Sequence, residues 1–358
     1  MSLTRQLPRT TDETINITRW PGKIAIEEAC GSPFFNANQT IPRAPLIHGF
    51  KGKLPFSDEV IADVEKRLND TKLRIQSMDQ SGIEFEIVSL TSPGIEGVCD
   101  PKLAAEYARK TNDWMYETFV KAHPDRFGFF ACVPMQDPKA AAEELERAVT
   151  KLGAKGVLIN GYSNVNPDNM SDVQYLDAEV CQPFWERLSK LDVPLYIHPR
   201  NPPPDQQRIC WDYPAMCQAA FAFGNETAGH AVRIMCSGLL DKYSNVQIIL
   251  GHCAEALPFL AHRIDHRFSD GSEGMSGPHK KTMMYYLQNN FIATLAGVRR
   301  QSTMNNTITE MGEGRVLFSV DYPYESHEEA SDWFDGLEMA DGTRHAIATE
   351  NAKRWLKI

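Results

Sequence analysis

The chain has 358 residues, 42% hydrophobic and 23% charged, a composition that excludes disordered, collagen-like and small disulfide-stapled proteins. Lys and Arg number 37 against 47 Asp and Glu. The net charge of -10 opposes attraction to phosphate backbones or anionic lipid, so neither nucleic acid nor membrane is an expected partner.

In chain order, residues 1–22 read as an N-terminal extension that mixes charges of both signs. They hold no apolar block of signal-peptide or membrane-span length, so a cytoplasmic location is expected. A single domain then runs over 23–358. Short apolar or β-branched runs mark strands at 23–28, 85–90, 127–133, 155–160, 193–198, 246–252, 290–294 and 315–321. Most are continuous rather than alternating, as in parallel strands covered on both faces. Helix-like stretches lie between them at 57–80, 101–121, 138–152, 179–190, 225–240, 254–268 and 299–312, with a terminal pair within 325–355. The eight cysteines show no C-x-x-C spacing and read as buried free thiols.

Strand and helix alternate about eight times, the pattern of a (β/α)8 TIM barrel. A doubly wound open sheet would look alike locally. No G-x-G-x-x-G or G-x-x-x-x-G-K-[ST] follows any strand, which favours the barrel. Insertions fall at 31–56, 161–178 and 198–214, all after a strand's carboxyl end, where barrel enzymes build their sites.

The carboxyl-terminal tips of these strands carry Glu27 and Glu28, His198, His252 and Asp321. In a barrel the tips converge on one mouth. Glu27, His198 and Asp321 can there offer two carboxylates and one imidazole to one divalent ion, with positions left open for substrate. That donor set suits Mg2+ or Mn2+ and accommodates Zn2+. His252 and Glu255 are three residues apart at the start of an expected helix, so the carboxylate can orient the ring as a proton-handling dyad.

Glu27–Ala29, His198-Pro199-Arg200-Asn201-Pro202, Gly251-His252-Cys253-Ala254-Glu255 and Phe318-Ser319-Val320-Asp321-Tyr322-Pro323 together resemble the amidohydrolase-superfamily decarboxylases of hydroxybenzoates. Ser89–Gly94, Pro124–Phe127, Asn160-Gly161 and Phe223–Thr227 extend the likeness from about residue 23 onwards. The resemblance implies a metal on Glu27, His198 and Asp321, no organic cofactor, and a proton network of Asp321, His252 and Glu255. It also implies a small aromatic acid as substrate and a homodimer or homotetramer. Arg263 matches a substrate-contacting arginine of the family, but a continuous helix would carry it some 12 Å beyond Glu255, so it is expected to serve a neighbouring subunit. Hydrolytic relatives open with His-x-His and often bridge two metals with a lysine; here Glu27-Glu28-Ala29 and Asn160 stand at those places. Resorcylate decarboxylases resemble Glu-x-His on the first strand, whereas 2,3-dihydroxybenzoate and salicylate enzymes resemble Glu-x-Ala. Ala29 therefore points first to 2,3-dihydroxybenzoate, converted reversibly to catechol and CO2, with salicylate next and γ-resorcylate third. A mononuclear hydrolase of a lactone or amide shares the same ligands, and a non-catalytic barrel scaffold is the remaining alternative.

Overall fold

The computed structural model describes residues 18–34, 57–272 and 274–358. Its strands are β1 (Lys23–Cys30), β2 (Ile83–Leu90), β3 (Phe127–Phe129), β4 (Val157–Asn160), β5 (Leu195–His198), β6 (Ile248–Leu250), β7 (Phe291–Thr294) and β8 (Val316–Leu317). They form two parallel ladders, β1-β2-β3 and β4-β5-β6-β7-β8. Two seams join the ladders into a ring. A parallel bridge pairs Ala131 with Val157, and the Ala29 N–H donates to the Tyr322 carbonyl at 2.7 Å. An open sheet would leave two free edges, so the closed ring decides for the (β/α)8 barrel.

The interior of the ring is packed by Ile26, Ile87, Phe130, Leu158, Tyr196 and Ile249 among others. Two larger apolar clusters fill the layer between strands and helices. This double burial is why the strand sequences are continuous apolar runs. Three ladders are shorter than the runs that announced them. The run 127–133 pairs formally over Phe127–Phe129, 246–252 stops at Leu250, and 315–321 stops at Leu317, because near the mouth the backbone turns aside to build loops.

The expected helix over 57–80 is two helices, Asp58–Leu68 and Thr71–Ser81. Ser57 caps the first by accepting from the Val60 N–H and Asp70 caps the second by accepting from Leu73, so each cap satisfies an orphan donor of its helix. Asp-Pro steps open the helices Pro101–Met115 and Pro138–Leu152, with Asp100 and Asp137 as caps and proline where no N–H is needed. The expected helix 254–268 begins only at Leu257, for a reason set out below.

Residues 1–17 of the extension and 35–56 of the first insertion lie outside the described residues. Residues 18–22 already pack on the barrel: Trp20 lies against the outer core, and the Gly22 carbonyl accepts from Thr349 Oγ1 at 2.8 Å. The insertion at 161–178 holds a small antiparallel pair, Ser163–Asn164 with Val173–Gln174. The 198–214 stretch folds into 3-10 turns at Pro204–Cys210 and Pro214–Met216. The eight cysteines are free thiols, six of them buried. Among the described residues no helix is long and apolar enough to cross a membrane.

Candidate metal centre and active site

The site begins with a fault in strand pairing. Along β1 and β2, Ala25 pairs with Glu86 but Glu28 pairs with Val88, so β1 spends one residue more than β2. Such a bulge reverses the alternation beyond it. Ile24 and Ile26 face the barrel interior, and Glu27 faces it as well, while Glu28 turns outward and Ala29 inward again. Two consecutive glutamates therefore serve opposite faces of one strand.

Inside, Glu27 is 2% exposed. Its Oε2 accepts from Thr294 Oγ1 at 2.9 Å, and the Tyr196 hydroxyl lies 3.4 Å from that threonine oxygen. Its Oε1 has no hydrogen-bond partner. That oxygen faces His198 Nε2 at 3.9 Å and His252 Nε2 at 3.8 Å, too far for hydrogen bonds but converging on one space. Burial pushes the Glu27 carboxyl up in spite of the nearby His252 charge. Burial and the neighbouring His252 press His198 down to about 3, so it is a neutral imidazole, the form in which histidine binds metal.

His252 and Glu255 are brought together as expected, with His252 Nδ1 at 2.7 Å from Glu255 Oε1. The local backbone is not the expected helix. His252, Cys253, Ala254, Glu255 and Ala256 all have φ between 51° and 61°, a single left-handed turn. Left-handed geometry costs an L-residue roughly 1–2 kcal/mol, so five in succession persist only where surrounding packing dictates them. The turn directs Nε2 of His252 to the barrel axis while Nδ1 faces Glu255. Glycines give it room: a Cβ at Gly251 would lie 2.6 Å from Glu27 Oε1, and one at Gly297, where φ is 64°, would lie 3.0 Å from His252 Cδ2. Burial alone would lower the His252 pKa, but the charges of Glu255 and Glu27 outweigh it and raise it well above the usual range.

Asp321 follows β8 by four residues and adopts φ 76°, again left-handed. Burial, then the charge of Glu27, raises its pKa well above the carboxylate range, while His252 opposes the shift. Glu27 and His252 are thus close enough to act on its charge. The oxygen and nitrogen donors, with one orphaned buried carboxylate oxygen among them, fit a hard or borderline divalent cation.

Behind β1 lies a second carboxylate and imidazole cluster, Glu28, Glu86 and His327, whose ligand-type atoms lie within 4.8 Å of one another. It resembles a metal site in composition, but its groups already meet one another: Glu86 Oε1 and His327 Nε2 form no well-aligned hydrogen bond yet stand 3.0 Å apart, at ion-pair distance. Glu28 accepts from Ser319 Oγ, the Val320 N–H and the Tyr322 N–H, and Glu86 pairs with Arg74 at 3.1 Å and His327 at 3.0 Å. Two acids facing an arginine and a raised-pKa histidine make a charge-balanced buried network, with no demand for an ion.

Sequence reasoning missed Thr294 and Tyr196, which hold the second Glu27 oxygen, and the role of Glu28. It also missed two carboxyls near the mouth, Glu96 and Glu226, which burial pushes up to about 7. Asn160, at the end of β4, lies beside Glu96. The sequence signals were the place of Glu96 in the loop after β2 and, for Glu226, its place inside the Phe223–Thr227 stretch of the family likeness, on the helix Ala222–Cys236. Ala29 faces the mouth from β1. Arg263 is exposed on the helix Leu257–Ser269, and among the described residues it makes no hydrogen bond or ion pair with this cluster.

The amidohydrolase family pattern matches residues 62–358. The gamma-resorcylate decarboxylase of a Polaromonas species is 40% identical over 339 residues, covering 94% of this chain and 99% of that one. The solved structure of a 2,6-dihydroxybenzoate decarboxylase in complex with 2,6-dihydroxybenzoate superimposes with a TM-score of 0.86 at 38% identity, covering 95% of this chain and all of that one. A dihydroxybenzoic acid decarboxylase from Polaromonas, solved with manganese and the inhibitor 2-nitroresorcinol, gives a TM-score of 0.85 at 38% identity over 94% of this chain and 97% of that one. With the closed barrel and the converging Glu27, His198 and His252, these likenesses make the chain a member of the amidohydrolase family.

Proposed function

We propose that this protein is a metal-dependent, non-oxidative decarboxylase of an ortho-hydroxybenzoate, converting 2,3-dihydroxybenzoate to catechol and CO2. The observation that carries the reading is the orphaned Glu27 oxygen facing two imidazoles, in a chain similar over nearly its whole length to hydroxybenzoate decarboxylases. Glu27, His198 and Asp321 would hold the ion, and manganese in a structural neighbour supports Mn2+ or a similar cation. When bound, the ion supplies the positive charge that anchors the carboxylate and its neighbouring phenol oxygen and favours the phenolate.

Loss of CO2 straight from an aryl carboxylate would leave an unstabilised carbanion. The ring carbon must therefore be protonated first, and the ortho oxygen supplies the electron density for that step. Asp321 is the proton donor to this carbon. His252, held by Glu255, holds and returns the proton at Nε2 while Thr294 fixes Glu27. Bond electrons then return to the ring as CO2 leaves, and nothing is oxidised. His198 stays neutral and does not compete for the proton.

The preference for 2,3-dihydroxybenzoate rests on Ala29, which turns inward beside Glu27 where a histidine would narrow the mouth. The names of the relatives favour 2,6-dihydroxybenzoate as the second reading. The exposed face of the helix Leu257–Ser269 supports a homodimer or homotetramer. Phe259, 78% exposed, lies four residues before Arg263 on one face, which would let Arg263 reach a neighbouring subunit's substrate. The test is a substrate panel with Mn2+-loaded protein. CO2 release from ortho-hydroxybenzoates, fastest with the 2,3-isomer, is the expected result; ring opening of a lactone without any CO2 would replace the decarboxylase by a hydrolase.

A further inference from the structure

Glu28 belongs to none of the proposed ligands, yet its carboxylate holds the backbone on both sides of Asp321. Oε1 accepts from the Val320 N–H at 3.0 Å and Ser319 Oγ at 3.1 Å, and Oε2 accepts from the Tyr322 N–H at 2.9 Å. Asp321 sits between the two gripped amides in a left-handed conformation that aspartate tolerates but does not prefer. The hold continues outward. The Tyr322 carbonyl accepts from Ala29, the residue after Glu28, and the Tyr322 ring stacks on His327 at 4.2 Å and 12°. His327 lies 3.7 Å from Glu28 and 3.0 Å from Glu86, and Arg74 donates to Glu86 and to the Ala29 carbonyl. The same bulge that sends Glu27 inward sends Glu28 outward, so one strand irregularity fixes both a ligand and the frame of another.

The geometry points to Glu28 as a positioning residue that sets the orientation of Asp321 toward the ion by clamping the amides of residues 320 and 322. The inference rests on the metal centre proposed above. A carboxylate can accept at both ends, and a glutamine cannot. In either orientation its NH2 group would face an N–H or hydroxyl donor, so E28Q keeps the volume but releases one end of the clamp. Outer partners of metal ligands commonly govern affinity by about 10- to 100-fold, which sets the expected size of the effect.

The experiment compares wild type, E28Q and E86Q by calorimetric titration of metal-free protein with Mn2+, metal-free thermal melting, and kcat and KM of the loaded enzyme. Glu86 lies in the same buried network but touches neither amide, so it separates clamping from general destabilisation. E28Q is expected to weaken Mn2+ binding about tenfold or more and to lower kcat more than KM. E86Q is expected to lower the melting temperature with Mn2+ affinity unchanged. Equal Mn2+ affinity in folded E28Q and wild type overturns the inference, as does an equal weakening in both variants. Should E28Q not fold, S319A removes one donor from the clamp; weaker Mn2+ binding then supports it and unchanged binding overturns it. Wild-type protein that fails to bind Mn2+ overturns the metal centre itself, and with it this inference.

Discussion

Two clusters of carboxylate and imidazole stand back to back across β1. Glu27, His198 and His252 inside and Glu28, Glu86 and His327 outside are built from the same two kinds of group, but the outer cluster is fully buried whereas the inner imidazoles are partly exposed at the mouth. They differ in saturation and, above all, in spacing. Outside, Glu28 accepts three hydrogen bonds and Glu86 faces two cationic partners, so the charges are spent on one another. Inside, a carboxylate oxygen is left without a donor and both imidazoles face it across nearly 4 Å. Glu86 Oε1 and His327 Nε2 also lack a well-aligned hydrogen bond, but they stand 3.0 Å apart, close enough to neutralise each other. Spacing is therefore what marks the inner cluster as the proposed metal centre: groups too far apart to bond directly leave room for an ion, and compactness is a sign that the groups already serve each other.

The largest effect should come from the inner cluster. Asp321→Asn removes the proposed proton donor and weakens a proposed ligand, and turnover should fall about 10^3-fold or more while the fold persists. Full activity measured in steady-state kinetics would remove Asp321 from the chemistry. The comparison is put most directly by its two histidines. His198→Ala should lower Mn2+ content, read by elemental analysis, with little change in metal-free stability. His327→Ala should do the reverse, leaving Arg74 alone to balance Glu28 and Glu86 and costing about 3–5 kcal/mol in denaturant unfolding. If both variants lost metal equally, the division between a binding and a structural cluster would fail.

How far the sequence reached follows from the physics of each element. Continuous apolar runs between helical stretches announced the barrel because strands covered on both faces must be apolar throughout, and His198 stands at the tip of β5 where the run ended. The Glu27-Glu28 doublet was ambiguous, since strict alternation admits one inward residue and only the bulge, a tertiary feature, decides which. The left-handed turn His252–Ala256 gave no signal at all. Its residues include no glycine, and its spacing mimics a helix start, so the dyad was legible while its backbone was not. Asp321 was read as a strand tip because its run is apolar, yet pairing ends at Leu317 and the Glu28 side chain takes over the role of the ladder. Arg263 came from likeness alone and lies exposed, apart from the cluster.

A third carboxyl tests saturation in a milder way. Glu96 is fully buried, neither of its oxygens has a well-formed hydrogen bond, and burial holds its pKa at about 7, above the ordinary 4.5. The folded protein thus keeps a proton that the unfolded chain releases. Its contribution to stability is complete below about pH 4.5 and is lost as pH rises through about 7. Glu96→Gln cannot ionise, so relative to wild type it should gain stability between those limits, by roughly 3 kcal/mol. Urea denaturation at pH 5 and pH 8 measures it. An equal difference at both values would mean that Glu96 ionises as freely as a surface acid.

The smallest expected effect concerns Ala29, the inner neighbour of the metal pole, an inward position near the tip of β1 that offers no polar atom. The bulge brings Glu27 and Ala29 onto the same face, so a side chain longer than methyl would enter the space beside the ion. Histidine there would add a hydrogen-bonding ring and a further nitrogen able to ligate, and would take room from a substituent ortho to the substrate carboxylate on that side. Glu27, His198, His252 and Asp321 would still perform the reaction. Discrimination should therefore shift more than rate: Ala29→His is expected to move the ratio of kcat/KM values toward 2,6-dihydroxybenzoate and away from the 2,3-isomer by about 1–3 kcal/mol, the worth of a single buried polar interaction. Both constants falling in parallel would show that Ala29 merely keeps the site intact. The preference for 2,3-dihydroxybenzoate would then lose its structural basis, and the substrate named for the relatives would become the better reading.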